Sequence, residues 1–266
     1  MAENKIYFKD IDRSDLPFIK RFLYIEHGVK DEIQFVPIRE AALVFYLNSK
    51  VTVVEPRKQS NPPIMLAPVV DSTIRYIAEG GCRYVVLQCS PSVLSRILKI
   101  NMSWDNKKTL DIPIEDERIT IAYNKILLSN SFDDILNIML SLMQQFYPSS
   151  YKKDQIDCVC EVLASSSLSF DESIKNFKLS QRTLQRQFKK RVGISPIKYY
   201  NLCRFNKLWQ ESLNTPGKVD WHTLIFNSGL SDQSHLIREF KKYSQKTPIQ
   251  LININSAFPK AFAGKN

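Results

Sequence analysis

Toward its C-terminal part the chain places apolar residues at helical spacing, twice. Leu184 and Phe188 are four residues apart, so they share one helix face, and Leu236 and Phe240 do the same. Arg182, Arg186 and Lys189 fall on the face opposite the first pair, and Ser234, Arg238 and Lys241 opposite the second, with Gln233 and His235 on the flanks. The pattern predicts a helix capped by Ser180 and running to about Val192, and another capped by Ser231 and running to about Tyr243. A short helix precedes each. Ser169 and Glu172 have capping-box spacing before a helix from about Phe170 to Phe177. Asp220 is placed to cap a helix from about Trp221 to Asn227, and Gly229 supplies the turn after it. Ser195-Pro196 and Thr247-Pro248 each read as a cap followed by proline at the first helical position. The middle helix is predicted from Pro196 to about Leu213, a length of roughly 25 Å.

The first 150 residues carry a different pattern. β-rich runs appear at Gln34–Val36, Ala42–Leu47, Val51–Glu55, Ile64–Val70, Thr73–Ala78 and Arg83–Gln88, with Gly80-Gly81 as a turn. Ser90-Pro91 opens a helix to about Ile100, and two more helices are expected at about Asp116–Leu128 and Asp133–Phe146. Strands first and helices later argue for an α+β chain: a small β-barrel or sandwich with a helical appendage, then an all-α domain. Pro148-Ser-Ser150 is the expected linker, which divides the chain into residues 1–148 and 149–266.

The helical part contains an internal repeat. Residues 184–197 and 236–249, offset by 52, agree at Leu, Arg, Phe, Lys, Lys, Pro and Ile, seven of 14 positions. Two copies of one helix-turn-helix unit, joined by a rigid helix, are the expected architecture. Recognition helices held in this way can meet successive major-groove segments about 34 Å apart on one side of a duplex.

Charge sharpens this picture. The 266 residues carry a net charge of +10. Residues 1–150 hold 18 basic and 18 acidic side chains, whereas residues 151–266 hold 19 and 9, so the whole excess lies in the repeat-bearing part. Between Ser173 and Gln210 there are ten basic residues and no acidic one. A one-sided field beside a neutral domain fits a polyanionic partner. Five cysteines, at 82, 89, 158, 160 and 203, are an odd number and form no disulfide framework. The polar start MAENKIYFKD has no apolar signal region, and no apolar run is long enough to span a bilayer, so a cytoplasmic protein without a membrane partner is expected.

The stretch from Ser180 to Pro196, Ser-Gln-Arg-Thr-Leu-Gln-Arg-Gln-Phe-Lys-Lys-Arg-Val-Gly-Ile-Ser-Pro, resembles the first helix-turn-helix of the AraC/XylS family. The stretch from Gly229 to Lys242, followed by Thr247-Pro248, resembles the second. The resemblance spans roughly residues 150–252 and implies seven helices and transcription control by double-stranded DNA binding, with RNA polymerase as a partner. It implies base contacts by Arg182, Gln185, Arg186, Gln233, Ser234, His235 and Arg238. Phosphate contacts are expected from Ser180, Lys189, Lys190, Ser231, Lys241 and Lys242. The chain departs from the family pattern at Ser173-Ile174, Leu224-Ile225 and Leu230, and at Gln245, where a helix-ending glycine is usual.

The layout of residues 1–150 is similar to the cupin-like domains of many such regulators, which implies a small-molecule effector site or homodimerisation. Tyr76, Arg83 and Tyr84 are the candidate lining residues. A cupin metal site needs a histidine cluster, and His27 is the only histidine of this part, so neither metal nor other cofactor is expected. No nucleotide-binding glycine motif, nucleophile elbow or catalytic triad is evident, which argues against an enzyme. The rival reading is a nonspecific architectural nucleic-acid-binding protein.

Overall fold

A computed structural model describes residues 3–48, 51–55, 59–60, 62–103, 112–113, 115–165, 167–214, 221, 225, 230–253 and 261–262. Ten strands come from the N-terminal part: β1 (Lys5–Asp10), β2 (Ile19–His27), β3 (Asp31–Phe35), β4 (Ala41–Tyr46), β5 (Val51–Glu55), β6 (Gln59–Ser60), β7 (Ile64–Ala67), β8 (Ile74–Ala78), β9 (Cys82–Cys89) and β10 (Ile112–Pro113). They form two antiparallel sheets, in the orders β1-β2-β9-β4-β7-β10 and β3-β8-β5-β6. Among the described residues no pairing joins the sheets, so the β-domain is two open sheets and not a closed barrel.

The larger sheet is covered on both faces. One face meets the smaller sheet through Leu23, Ile25, Val44, Val86, Ile33 and Ala78. The other meets the helical appendage, α2 (Glu117–Leu127) and α3 (Phe132–Phe146), through Phe22, Leu43, Phe45, Leu87, Ile119 and Met139. This double cover explains why β4 is apolar at every position and buried along its whole length. The first helix, α1 (Pro91–Ile97), follows β9, as Ser90-Pro91 predicts, but it ends earlier than expected. β1 and β2 escape the sequence pattern because Lys20, Arg21 and Glu26 interrupt the alternation of β2.

His27, on β2, is buried with its Nε2 3.3 Å from the Tyr84 hydroxyl, which lies 3.0 Å from that of Tyr76. Burial pulls the imidazole below its ordinary pKa, against the attraction of Asp31. The group therefore folds neutral. Its contribution to stability is present above the unfolded value of about 6.5 and is lost as pH falls through the folded value. Urea unfolding should show a larger loss of stability between about pH 7.5 and about pH 5.5 for the wild type than for His27→Gln. Equal losses would remove His27 as the source.

The remaining helices are α4 (Gln155–Ser165), α5 (Phe170–Ile174), α6 (Gln181–Val192), α7 (Pro196–Asn214), α8 (Gln233–Ser244) and α9 (Pro248–Ile252). They share one core, centred on Phe188, Phe205, Trp209, Phe240 and Tyr243, which also takes in Val36 and Val69 of the sheet domain. Burying one such side chain contributes about 1.5–3 kcal/mol. The expected cap at Asp220, the end of its helix and the turn at Gly229 lie outside the described residues, as does the Asn214–Gly217 stop beyond Asn214. Among the described residues no helix is long and apolar enough to cross a membrane.

Candidate nucleic-acid interface

The two copies of the repeat fold alike, at an offset of 52 throughout. α6 and α8 start at Gln181 and Gln233, and α7 and α9 start at Pro196 and Pro248. Ser180 caps α6 by accepting from the Thr183 N–H at 3.2 Å. The corresponding cap of α8 is Asp232, which accepts from the His235 N–H at 2.8 Å, and not Ser231 as the sequence pattern predicts. A carboxylate holds the exposed N–H groups of a helix start more strongly than a hydroxyl does. Ser231 instead donates to Asp232 at 2.8 Å. These hydrogen bonds hold the Asp232 carboxyl below its usual pKa.

Both helices end in left-handed residues, Gly193 (φ 105°) and Gln245 (φ 58°). Glycine takes this conformation without penalty, and glutamine does not. Gln245→Gly is therefore expected to raise stability by about 0.5–1 kcal/mol. The reverse change is worse than its φ alone suggests. A Cβ on Gly193 would stand 3.0 Å from the Met102 carbonyl oxygen and 3.2 Å from that of Val69. Gly193→Ala should thus destabilise by roughly 2–3 kcal/mol, read from urea midpoints at constant slope.

Buried Leu184, Phe188 and Val192 fix α6, and Leu236, Phe240 and Tyr243 fix α8. Phe188 packs edge-on against Tyr199, and Tyr243 stacks on Phe205, both on α7. This leaves Arg182, Arg186, Lys189 and Lys190 exposed on α6, with Gln185 half-buried. Gln233, Ser234, Arg238, Lys241 and Lys242 are exposed on α8, with His235 half-buried and 3.4 Å from the Ser231 hydroxyl. Among the described residues no carboxylate lies within 4.0 Å of Arg182, Arg186 or Arg238, while Lys242 reaches Glu239 at 3.9 Å. The basic faces are thus largely uncommitted and can meet an anion. The hydroxyls of Ser180 and Ser231 are already engaged at their helix starts.

Three of the residues at which the chain departs from the pattern it resembles are accounted for by local packing. Ser173 is buried, with its hydroxyl donating to the Ser169 carbonyl at 2.8 Å, so a polar residue is tolerated. Ile174 and Ile225 pack on the helical core.

Arg191 belongs to the basic run of the sequence, but it turns inward. Its guanidinium meets Asp154 at 2.8 Å and Asp157 at 2.6 Å, and donates to the Ser92 carbonyl at 2.9 Å. The signal was available: Arg191 is seven residues after Leu184, hence beside the apolar stripe. Burial raises the Asp154 pKa, but the Asp157 N–H, Arg191 and Arg96 outweigh it and leave the carboxyl below its usual range.

The sheet domain holds the C-terminal ends of both helices. The Met102 N–H donates to the Lys190 carbonyl of α6 at 2.8 Å. Thr73 donates to the Tyr243 carbonyl of α8 at 2.6 Å, and Gln34 to that of Ser244 at 2.7 Å. These bonds satisfy carbonyls that a helix end leaves without partners. Asn206 on α7 bridges the Arg39 N–H and the Pro37 carbonyl. At this junction lies a cleft of about 900 Å³, bordered by Lys20, Arg21, Arg39, Tyr151, Lys207 and Phe262. The expected lining residues are elsewhere: Tyr84 is buried between the sheets, Tyr76 touches it, and Arg83 is exposed.

Residues 174–253 match a family model described as a helix-turn-helix domain. No curated protein matches the chain. Among solved structures it is similar to ToxT from Vibrio cholerae, at 11% identity over 94% of this chain and 98% of that one, with a TM-score of 0.46. ToxT of strain SCE256 with an unsaturated fatty acid bound gives 13% identity, coverage of 95% and 97%, and a TM-score of 0.45. The AraC-like transcriptional activator CuxR gives 10%, 77% and 87%, with a TM-score of 0.33.

Proposed function

We infer from the AraC-type helix-turn-helix domain at residues 174–253 that the chain is a DNA-binding transcription regulator, and we propose that it reads two successive major-groove segments. The observation that carries this reading is the repeated geometry: α6 and α8 share caps, length and orientation of their apolar faces, and each leaves a basic face exposed. α7, 19 residues and roughly 28 Å long, is of the right order to space them one DNA turn apart. Arg182, Gln185 and Arg186 then read bases from α6, and Gln233, Ser234, His235 and Arg238 from α8. Lys189, Lys190, Lys241 and Lys242 hold phosphates, assisted by the loops at Ser180 and Ser231.

The proposed division of labour assigns residues 149–266 to DNA and residues 1–148 to modulation. The support is that one domain pins both recognition helices by their C-terminal carbonyls. A small-molecule effector in the cleft at the junction would act on the two helices together, provided that it binds one arrangement more tightly than the other. A second copy of the chain and RNA polymerase are the further proposed partners.

The test is duplex binding by the full chain at several salt concentrations. A specific operator selected from random sequence should bind at least about a thousandfold more tightly than random duplex at equal salt, and both affinities should fall as salt rises. Equal affinity for all sequences would favour the architectural alternative.

A further inference from the structure

Two buried polar side chains stand side by side near one end of two inner strands of the larger sheet. Arg21 on β2 and Gln88 on β9 are cross-strand partners, 3% and 2% exposed. Their neighbours on the same face are Leu23, Ile25, Tyr84 and Val86, all in the apolar layer between the sheets. Polar groups in such a layer need partners. Both find one in a segment far along the chain. Arg21 donates from Nη1 to the Ala261 carbonyl, and Gln88 donates from Nε2 to the Phe262 carbonyl at 3.4 Å. Ala261 and Phe262 are 3% and 6% exposed and belong to the inter-sheet core. The Phe262 ring meets Phe35 of β3 edge-on at 5.2 Å. Arg21 is held in place by Asp10 and lies 4.7 Å over the Phe8 ring. The arrangement is two donors for consecutive main-chain carbonyls beside an aromatic slot, which is the chemistry of peptide recognition.

We propose that this groove is a peptide-binding site in the sheet domain, and that its resident ligand is the chain's own segment around Ala261-Phe262, bound in cis. Only eight residue steps separate Ala261 from Asn253, one residue beyond α9, so the tether is at most about 28 Å long. A tether of that length gives an effective concentration on the order of millimolar. The groove stays filled even where the free segment binds weakly, and the segment remains displaceable. Its seating adds a further strap between the second helix-turn-helix and the domain that already grips α6 and α8. The consequence for DNA rests on the proposed function, and the binding site itself does not.

The experiment uses a fluorescently labelled peptide of residues 254–266 and two full-length chains, wild type and Phe262→Asp. The free groove of the Phe262→Asp chain should bind the peptide at least about tenfold more tightly than the self-occupied wild type. A peptide carrying the same Phe262→Asp change should bind neither chain. Operator affinity of Phe262→Asp should differ from wild type by about threefold or more and return when the unmodified peptide is added. Equal peptide binding by both chains, or none by a folded Phe262→Asp chain, overturns the site. Should circular dichroism show Phe262→Asp to be unfolded, Phe262→Ala takes its place. Unfolding of both would show the segment to be permanent core and overturn the proposal as well. Peptide binding with unchanged operator affinity overturns the strap and keeps the groove. A wild type that fails to bind any operator counts against the proposed function and leaves the peptide comparison intact.

Discussion

Replacing Arg191 by Ala is expected to lower the free energy of unfolding by about 3 kcal/mol, more than loss of any exposed basic residue of the same helix. Its carboxylate partner Asp157 is 1% exposed. Removing the guanidinium leaves that charge with Arg96 at 3.2 Å, the Tyr151 hydroxyl at 2.7 Å and the Asp154 N–H at 3.2 Å. Those partners keep the loss toward the lower end of the range for a broken buried ion pair, about 3–5 kcal/mol. Arg191→Lys should recover only part, since one ammonium cannot replace a fork that serves Asp154, Asp157 and the Ser92 carbonyl together. A double-mutant cycle with Asp157→Asn measures the coupling directly. A loss below about 1 kcal/mol would mean that the network behaves as a solvated surface pair. Operator affinity should also fall, because α6 loses its anchor, but the slope of affinity against salt should not change. Arg191 meets two carboxylates and is turned away from the exposed basic face.

Arg186 and Lys190 are both exposed on α6, yet they should fail in different ways. Arg186→Ala is expected to cost about 1–3 kcal/mol on the best operator and to relax preference at one or two base pairs. A guanidinium can bridge two acceptors of one guanine, and no described carboxylate within 4.0 Å competes for it. Lys190→Ala should weaken binding to all sequences alike and reduce the salt slope by about one unit. The Lys190 substitution leaves the clamp on α6 intact, because the bond to the Met102 N–H uses the main-chain carbonyl. Affinity for specific and random duplexes, measured at three salt concentrations, separates the two. Identical profiles for both variants would mean that the assignment of base and phosphate contacts is wrong.

What the amino-acid sequence determined by itself is what depends on neighbours a few residues away. The capping box at Ser169 and Glu172, the cap at Ser180 and the prolines that open α7 and α9 all act within one helical turn, and all are present. The spacing of Leu184 and Phe188 decides which face of α6 turns inward whatever it packs against. The 52-residue offset, applied to Ser180, points to Asp232 as the cap of α8, one residue after Ser231.

What only the tertiary structure decided involves partners far apart in the chain. Arg191 stands in a run of cations beside the apolar stripe, and the partners that it meets there, Asp157 on α4 and Asp154 just before that helix, are supplied by the packing of α4. β2 carries Lys20, Arg21 and Glu26, so its alternation is broken. It is a strand because β1 and β9 pair along both its edges, and Arg21 is tolerated inside because a carbonyl at position 261 meets it. Nothing near Gln34 or Thr73 in the sequence marks them as caps for a helix about 170 or more residues later, since they acquire that role only when the two domains dock. Local spacing fixes which face a residue shares with its neighbours. Whether that face meets water, a second sheet or the end of another helix depends on long-range packing, where the burial and pairing of each polar group are settled together.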